Sequence, residues 1–511
     1  MERAPAPRFI GIFRAASIVI LCSAAFFFAY RSINWSWQWD TSPMHYVNFM
    51  MDHGKAPYRD IVDMNMPGSY FIEGWALRIF GPGDLGWRLY DFFLLAVLTA
   101  SMIVIAWPYD WLAGLFGGAM FTIIHGAEGA GNAAQREEVM TVLIVAGIAF
   151  AFSALRARRP LLMLPFGFLV WLAVSLKPTA GPLGLILLLM SIPPLRRRKE
   201  AVMPYLGFAL LGFAAASLII AGFLLRYHAT GDFLSITKRL LPYYAGVGNL
   251  DIATLLILLP PRIAFIPLLL ITLILTLRNK DWKNWERQAL AVTICFGALS
   301  FVAQRKGFAY HRYPLSAFLL LWMGLEFYRA MKLQGWTRGL GLTGAAGVLL
   351  LIPGYCFTIY ETKPNVVLTD ELMQDLERLG GPKLQNQVQC LDMVSGCLSA
   401  LYRLGLVHHT GFLGDFMLFG PAGSQPSAYY RNMFLEDAQH NPPGVIVLTT
   451  SGLGQPESFE KITQWPQFVE FLNSNYSLDV TRISDPSSSR GYRIYLLKSR
   501  NVALTDPHLR R

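Results

Sequence analysis

Charged residues are scarce in this sequence. Only 15% of its 511 residues are Asp, Glu, Lys or Arg, against roughly 25% in average soluble proteins. Hydrophobic residues make up 54% of the chain, and the mean hydropathy is +0.39. Long apolar stretches recur over most of the first two thirds of the chain. The composition excludes a soluble globular protein and predicts several membrane-spanning helices.

Cysteine is also scarce, with five in the whole chain, which excludes a fold held together by a disulfide scaffold. Cys22, Cys295 and Cys356 lie in or beside apolar segments, where a buried thiol is the usual state. Cys390 and Cys397 lie in the polar C-terminal part, where a bridge can form if that part faces an oxidising compartment.

The formal net charge of +11 would ordinarily raise nucleic acid as a partner. The basic residues, however, form short clusters between apolar stretches, which is the pattern that the positive-inside rule produces. We therefore interpret them as topology signals and expect no nucleic-acid partner. No small-residue cleavage site follows the first apolar run, so we interpret that run as a retained span.

Eleven apolar stretches are candidates for membrane-spanning helices. They lie near residues 10–30, 89–107, 111–125, 138–155, 161–176, 180–194, 201–225, 257–277, 289–304, 314–328 and 340–357. Short basic segments such as 156–159 and 196–199 favour a cytoplasmic N-terminus. The first loop, 31–88, and residues 358–511 then lie on the extracytoplasmic side of the membrane.

The predicted fold class is an α-helical polytopic membrane domain over residues 1–357, followed by a small extracytoplasmic α/β domain over 358–511. In the second domain the pattern predicts helices over 369–379 and 457–473 and strands over 445–448 and 492–498. No nucleotide-binding glycine fingerprint or nucleophile motif is present there. We expect this domain to bind an acceptor or to cover the active cleft.

The first loop carries the most informative pattern. A capping residue at Thr41 or Ser42, Pro43 at the first helical position and Gly54 as a stop predict one short helix. A second helix, from about Ser69 to Phe80, has an apolar face and is expected to lie along the membrane surface.

Three acidic residues flank the first short helix: Asp40 precedes it, and Asp60 and Asp63 follow it. The helix spans roughly 16 Å, and the nine residues after it can reach back about 30 Å. Asp63 can therefore return beside Asp40. A carboxylate in a partly dry cleft can act as a general base toward a hydroxyl, and a second acid can tune its pKa.

The segment from Gly54 to Gly68, with Asp40 ahead of it and Arg88 after it, resembles the GT-C integral membrane glycosyltransferases. The closest branch comprises relatives of protein O-mannosyltransferases, aminoarabinose transferases and Rgt-type lipopolysaccharide core transferases. The resemblance implies that Asp40 occupies the catalytic position, although Thr41 stands where the family usually has Glu. It also implies that Asp63 is the second acid, ahead of the Pro-containing turn.

A lipid-linked donor of this kind presents a phosphate, and cleaving its glycosidic bond leaves more negative charge on that phosphate. Cations at the outer ends of spans can stabilise that charge. The candidate substrate-binding residues are Asp60, Lys177, Arg305, Lys306, His311 and Arg312. Lys177 can equally be a snorkelling side chain at a span boundary.

The predicted function is inverting transfer of a sugar from a polyprenyl-phosphate donor to a hydroxyl of a lipid, glycan or protein acceptor, at the outer face of a bacterial cytoplasmic membrane. Asp40 is assigned as general base, and Asp63 orients or tunes it. We expect no cofactor: a divalent metal is not indicated, since His45 and His53 have no standard ligand spacing, although the acidic loops leave one open. Glu137 is interpreted as a charge favoured at a helix start.

Three alternatives stay open at this point. A transporter or flippase of lipid-linked intermediates would place its important charges at mid-membrane depth. A polysaccharide polymerase or ligase would concentrate its cations in a large late external loop. A catalytically inactive relative would only bind the substrate.

Overall fold

The computed structural model describes residues 8–38, 41–260, 262–279, 281, 283–362, 367–392, 395–419, 424–452, 457–485 and 490–499. Its helices in the membrane domain are α1 Arg8–Ser32, α2 Thr41–Asp52, α3 Pro67–Phe80, α4 Asp84–Ala106, α5 Trp111–Glu128, α6 Arg136–Ala157, α7 Met163–Leu176, α8 Gly181–Met190, α9 Ile192–Arg197, α10 Val202–Arg226, α11 Thr230–Gly246, α12 Ile252–Leu258, α13 Ile266–Arg278, α14 Trp285–Gln304, α15 Tyr313–Ala330 and α16 Trp336–Glu361. The C-terminal part contains α17 Val367–Arg378, β1 Val388–Leu391, α18 Cys397–Arg403, α19 Gln425–His440, β2 Val445–Thr449, α20 Pro466–Asn475, β3 Tyr476–Asp485 and β4 Arg490–Leu497.

The prediction of a polytopic helical membrane protein is confirmed. Within the described residues, seven helices are long and apolar enough to cross a membrane: α1, α4, α6, the α8–α9 segment, α10, α14 and α16. Helix α12 and the segment Ile263–Arg278, which ends with α13, are inclined at 69° to each other and form either a broken eighth span or a re-entrant loop. The other three predicted spans are helices of 14 to 18 residues, α5, α7 and α15.

Helix α5 lies at the centre of the bundle, against α1, α4, α15 and α16. Its close approach to α4 depends on glycine: a Cβ on Gly114 would lie 2.4 Å from the backbone oxygen of Met102, and one on Gly118 would lie 2.6 Å from the Cα of Thr99. Small residues permit such backbone contact between membrane helices.

The first loop contains the two predicted helices, α2 and α3. On α3, Trp75 and Ile79 are 50% and 68% exposed, which fits a helix with one face toward the membrane surface. The second helix begins at Pro67, two residues before the predicted start, because proline is well suited to the first helical turn.

The C-terminal domain is α/β, as predicted, with the strand order β1-β2-β4-β3. Strands β1 and β2 are parallel, and the other pairs are antiparallel. Cys390 and Cys397 form a disulfide. The single helix predicted over 457–473 is wrong: a 3₁₀ turn, Phe459–Gln464, precedes α20, which starts at Pro466. Proline cannot continue a preceding helix but can begin a new one.

The first loop and the C-terminal domain lie at the same end of the bundle, which we call the outer end. The hydroxyls of Ser42 and Ser399 are 2.6 Å apart, and Arg403 donates hydrogen bonds to Asp84. The backbone N–H of Val62 donates to the carbonyl of Gly411 at 2.8 Å. These contacts fix the domain over the loop.

Candidate active site

Asp63 is held in one orientation by three donors. Its Oδ1 accepts the backbone N–H of Met64 at 2.7 Å, and its Oδ2 accepts the amide of Asn65 at 2.7 Å and the hydroxyl of Tyr70. Burial raises the pKa of Tyr70 well above its ordinary value, so that hydroxyl remains a donor. Asp40, the other predicted catalytic acid, lies outside the described residues, and its role stays a prediction.

Asp63 lines an open cleft of about 80 Å³, which we call the Asp63 cleft. The first loop, the start of α6, the end of α11, the segment after α14 and the C-terminal domain all contribute to it. Its lining consists of Pro43, Met44, Val62, Asp63, Met64, Asn65, Arg136, Tyr244, Phe308, Leu413, Gly414, Phe416 and Met417. Arg136 therefore shares a cleft with a carboxylate and with the beginning of α2.

The turn after Asp63 packs tightly against the outer end of α7. A Cβ on Gly68 would lie 2.1 Å from Oγ and 2.7 Å from the carbonyl oxygen of Ser175. The side chain of Ser175 can rotate away, but its backbone cannot, so this position requires glycine. Because Ser175 precedes Lys177 by two residues, the same contact brings the Asp63 turn close to Lys177.

Lys177 and His311, predicted separately, converge on Glu137. The Lys177 amino group contacts Glu137 Oε1 and donates to Gln304 Oε1 at 2.6 Å. The Nε2 of His311 lies 3.1 Å from the same Glu137 oxygen. Glu137 is fully buried, while the Lys177 side chain is 19% exposed. Burial lowers the pKa of His311, against the opposing effect of Glu137.

The predicted cations Arg305, Lys306 and Arg312 do not meet Lys177 directly. Each donates to backbone carbonyls of the segment 244–260. Arg305 donates to Leu250, Lys306 to Tyr244 and Val247, and Arg312 to Leu258 and Pro260. These side chains thus anchor the chain between α11 and α13. Their assignment to a phosphate remains a prediction.

Arg312 makes a second contact, through Nη2 to Glu128 Oε1 at 2.6 Å. Glu128 ends α5, and Arg312 precedes α15, so this pair closes the outer end of the bundle near the Glu137 cluster.

Asp60 lies apart from Asp63. It accepts hydrogen bonds from the guanidinium of Arg59 at 3.0 and 3.1 Å and from the backbone N–H of Ala56 at 2.8 Å. The Arg59 contact lowers the pKa of Asp60. Asp60 lines a separate cleft between the first loop and the C-terminal domain.

Sequence reasoning missed Arg136 and Glu137 as site residues. Glu137 does lie in the first turn of α6, where the interpretation as a helix-start charge places it. Its burial and its partners come from α7 and the segment before α15, which are far away in sequence. The available signal was the run Arg136-Glu137-Glu138 at the outer end of a span, where buried charges require partners.

A second buried polar cluster joins α4, α5 and α6. Asp91, His125 and Glu138 each offer one ligand atom within 4.8 Å of the others, so these three could hold a metal ion. Arg88 lies 3.1 Å from the Asp91 carboxylate.

Glu73 and His45 form a buried pair in the first loop, with Nδ1 of His45 3.1 Å from Glu73 Oε1. Arg136 and Tyr90 line a small cavity with Glu73. Burial raises the pKa of Glu73 to about 8 and lowers the pKa of His45 to about 4. Both side chains are therefore neutral near pH 7.

This pair predicts a pH-dependent stability. Since the pKa of Glu73 rises from 4.5 to about 8 on folding, the folded state binds the extra proton between those values. Its stabilisation is complete below the unfolded value and is lost as the pH rises through about 8. Glu73→Gln should unfold a few degrees higher than the wild type at pH 8, with little difference at pH 4.5.

Thermal unfolding followed by tryptophan fluorescence in detergent measures this difference. The control is Asp52→Asn, an exposed acid at the end of α2, which should behave as the wild type at both pH values. An equal gain for Glu73→Gln at both pH values would show that the carboxyl does not take up a proton on folding.

The helical bundle, the two loop helices and the α/β domain over the outer end define a polytopic membrane protein with the GT-C fold. Solved structures of other proteins share this architecture. ArnT from Cupriavidus metallidurans in the apo state superposes with a TM-score of 0.63 at 10% identity, covering 95% of this chain and 98% of ArnT. The same ArnT bound to undecaprenyl phosphate gives a TM-score of 0.58 at 10% identity, covering 94% and 98%.

The oligosaccharyltransferase of Archaeoglobus fulgidus, in complex with Zn and sulfate, gives a TM-score of 0.50 at 12% identity and covers 93% of this chain and 72% of its own. Neither a protein-family profile nor a curated protein matches the sequence. At these identities the likeness establishes the GT-C fold alone, and the predicted resemblance is confirmed at that level.

Proposed function

We propose that this protein is an inverting glycosyltransferase that uses a polyprenyl-phosphate sugar. The observation that carries the proposal is the arrangement at the outer end of a GT-C fold: Asp63 and Arg136 line one cleft, and the adjoining Glu137 holds Lys177 and His311. That one known protein of this fold is an ArnT bound to undecaprenyl phosphate supports the choice of donor.

In the proposed reaction, Asp40 takes the proton from the acceptor hydroxyl while the oxygen of that hydroxyl attacks the anomeric carbon of the donor sugar. The bond between that carbon and the phosphate oxygen breaks on the opposite face, so the configuration inverts. The leaving polyprenyl phosphate gains negative charge, which Lys177 and Arg136 stabilise. Asp63, fixed by its three donors, orients the reacting groups. No metal is required by this scheme.

The distribution of charge favours transfer over transport. The charged side chains of the described spans lie within roughly two turns of a helix end, whereas a transport pathway needs them at mid-membrane depth. A polymerase or ligase would use a large late external loop. Here the corresponding segment between α14 and α15 is short, and its cations bind protein carbonyls.

The test is transfer by the purified protein from radiolabelled polyprenyl-phosphate hexoses and pentoses to a panel of envelope glycolipids, oligosaccharides and proteins. Transfer is expected from lipid-linked donors and not from nucleotide sugars, because the site is proposed to lie on the extracytoplasmic face of the bacterial cytoplasmic membrane. Movement of the lipid-linked sugar across proteoliposomes without transfer to any acceptor would instead establish a transporter.

A further inference from the structure

A second cleft, of about 250 Å³, lies between the first loop and the C-terminal domain. We call it the polar cleft. The side chains that give it its chemistry are Lys55, Arg59, Asp60, His409, Thr410 and Asp437. The catalytic step proposed above uses none of them.

The polar cleft adjoins the Asp63 cleft. Val62 lines both, and its N–H donates to the carbonyl of Gly411, so this contact separates them. One continuous strip of the C-terminal domain, residues 410–417, contributes to both clefts. A molecule in the polar cleft therefore lies one residue's width from the cleft that contains Asp63.

The two clefts differ in chemistry. Methionine and aromatic side chains make up much of the wall of the Asp63 cleft, including Met64, Phe308 and Phe416. The polar cleft instead carries two cations, Lys55 and Arg59, and two acids. These charges balance, which disfavours binding of a polyanion. The carboxylates can accept hydrogen bonds and the cations can donate them, so together they suit a molecule with many hydroxyl groups.

His409 gives this cleft a fixed wall. Its Nδ1 lies 2.7 Å from the carbonyl oxygen of Asn386, and its Nε2 lies 2.7 Å from that of Asn441. The ring therefore lies between the segment after α19 and the segment before β1, and its N–H donates to one of these carbonyls. These contacts position His409 at one side of the cleft.

We propose that the polar cleft binds the glycan part of the acceptor and directs one of its hydroxyls into the Asp63 cleft. This inference rests on the proposed function, since it names the class of acceptor: a polyhydroxylated, net-neutral carbohydrate segment. The Asp63 cleft binds the lipid-linked donor, and the polar cleft binds the hydrophilic acceptor.

The test uses two neighbouring exposed acids of α19. Asp437 lines the polar cleft, whereas Glu436 does not. Asp437→Trp fills the cleft and should raise the KM for the acceptor at least tenfold. The KM for the donor, and slow hydrolysis of the donor by water, should stay within twofold of the wild type. Glu436→Trp, the matched control, should leave all three unchanged.

A binding measurement separates this inference from the proposed function. Saturation-transfer NMR with neutral hexose tri- and tetrasaccharides, and with phosphorylated counterparts, requires no transfer. Binding of the neutral sugars by the wild type and Glu436→Trp, but not by Asp437→Trp, supports the glycan site even if no donor is used. Binding of phosphorylated sugars alone, binding of neither, or equal binding by Asp437→Trp overturns it.

Discussion

Replacing Asp40 by Asn is expected to lower sugar transfer by about 10³-fold, because an amide cannot accept the proton of the attacking hydroxyl, and a positioned general base contributes roughly 10²–10⁴-fold. The assignment is the one that the resemblance of the first loop to the GT-C glycosyltransferases implies. Initial rates with a radiolabelled polyprenyl-phosphate sugar measure the loss. The KM for the donor should change little, since the base acts on the acceptor.

Asp63→Asn is the matched comparison for this prediction. An amide has only one accepting oxygen, so it cannot accept from Met64 on one side and from Tyr70 and Asn65 on the other, as the carboxylate does. Orientation is therefore lost, and transfer should fall by about 10–10²-fold. Tyr70→Phe removes one donor and keeps the carboxylate, and it should be milder. Thermal unfolding shows which variants remain folded. Equal transfer by the wild type and Asp40→Asn would remove Asp40 from the mechanism.

Replacing Lys177 by Met is expected to lower kcat/KM for the donor by about 10²–10³-fold, the usual effect of removing one group that stabilises developing negative charge. Lys177→Arg keeps the charge and should retain part of the activity. Lys332→Met is the matched control, because Lys332 also pairs with an acid, Asp110 at 3.1 Å, but at the opposite end of the bundle.

A purely structural role for Lys177 makes a different prediction. Removing the lysine leaves Glu137 buried beside His311, whose pKa is lowered by burial, and an uncompensated buried charge destabilises a protein by several kcal/mol. The double variant Lys177→Met with Glu137→Gln removes both charges together. If its transfer activity returned toward that of the wild type, the lysine would serve the fold and not the leaving phosphate.

Much of the fold could be predicted from local patterns. Ten of the eleven stretches predicted to span the membrane coincide with described helices, the eleventh is broken between α12 and Ile263, and α2 ends close to the predicted Gly54. The prediction failed at Pro466, where a 3₁₀ turn is followed by a separate helix. Strands β1 and β3 and helices α18 and α19 were not predicted. Strand β1 and helix α18 are buried segments of four and seven residues, which are too short to show a clear period.

The candidate site was predictable only in part. The sequence predicted that Lys177 and His311 lie at the outer end of the bundle, but it did not predict that both contact the carboxylate of Glu137. It treated Arg305, Lys306 and Arg312 as one cationic group, and the structure engages each with backbone carbonyls of the chain before α13. The charge of a side chain and its approximate depth in the membrane follow from the local sequence. The hydrogen-bond acceptor that each cation contacts depends on how distant segments pack together.

The sequence by itself determined that the chain crosses a membrane repeatedly, that an acidic loop follows the first span and that a small α/β domain comes last. Hydropathy and capping act over a few residues, and the sequence records them directly. Only the tertiary structure decided that Lys177 and His311 both contact Glu137. It also decided that the C-terminal domain contributes to two clefts, one lined largely by apolar side chains and one rich in charged side chains. Those outcomes depend on close backbone approaches, such as Gly68 on Ser175, between segments more than a hundred residues apart.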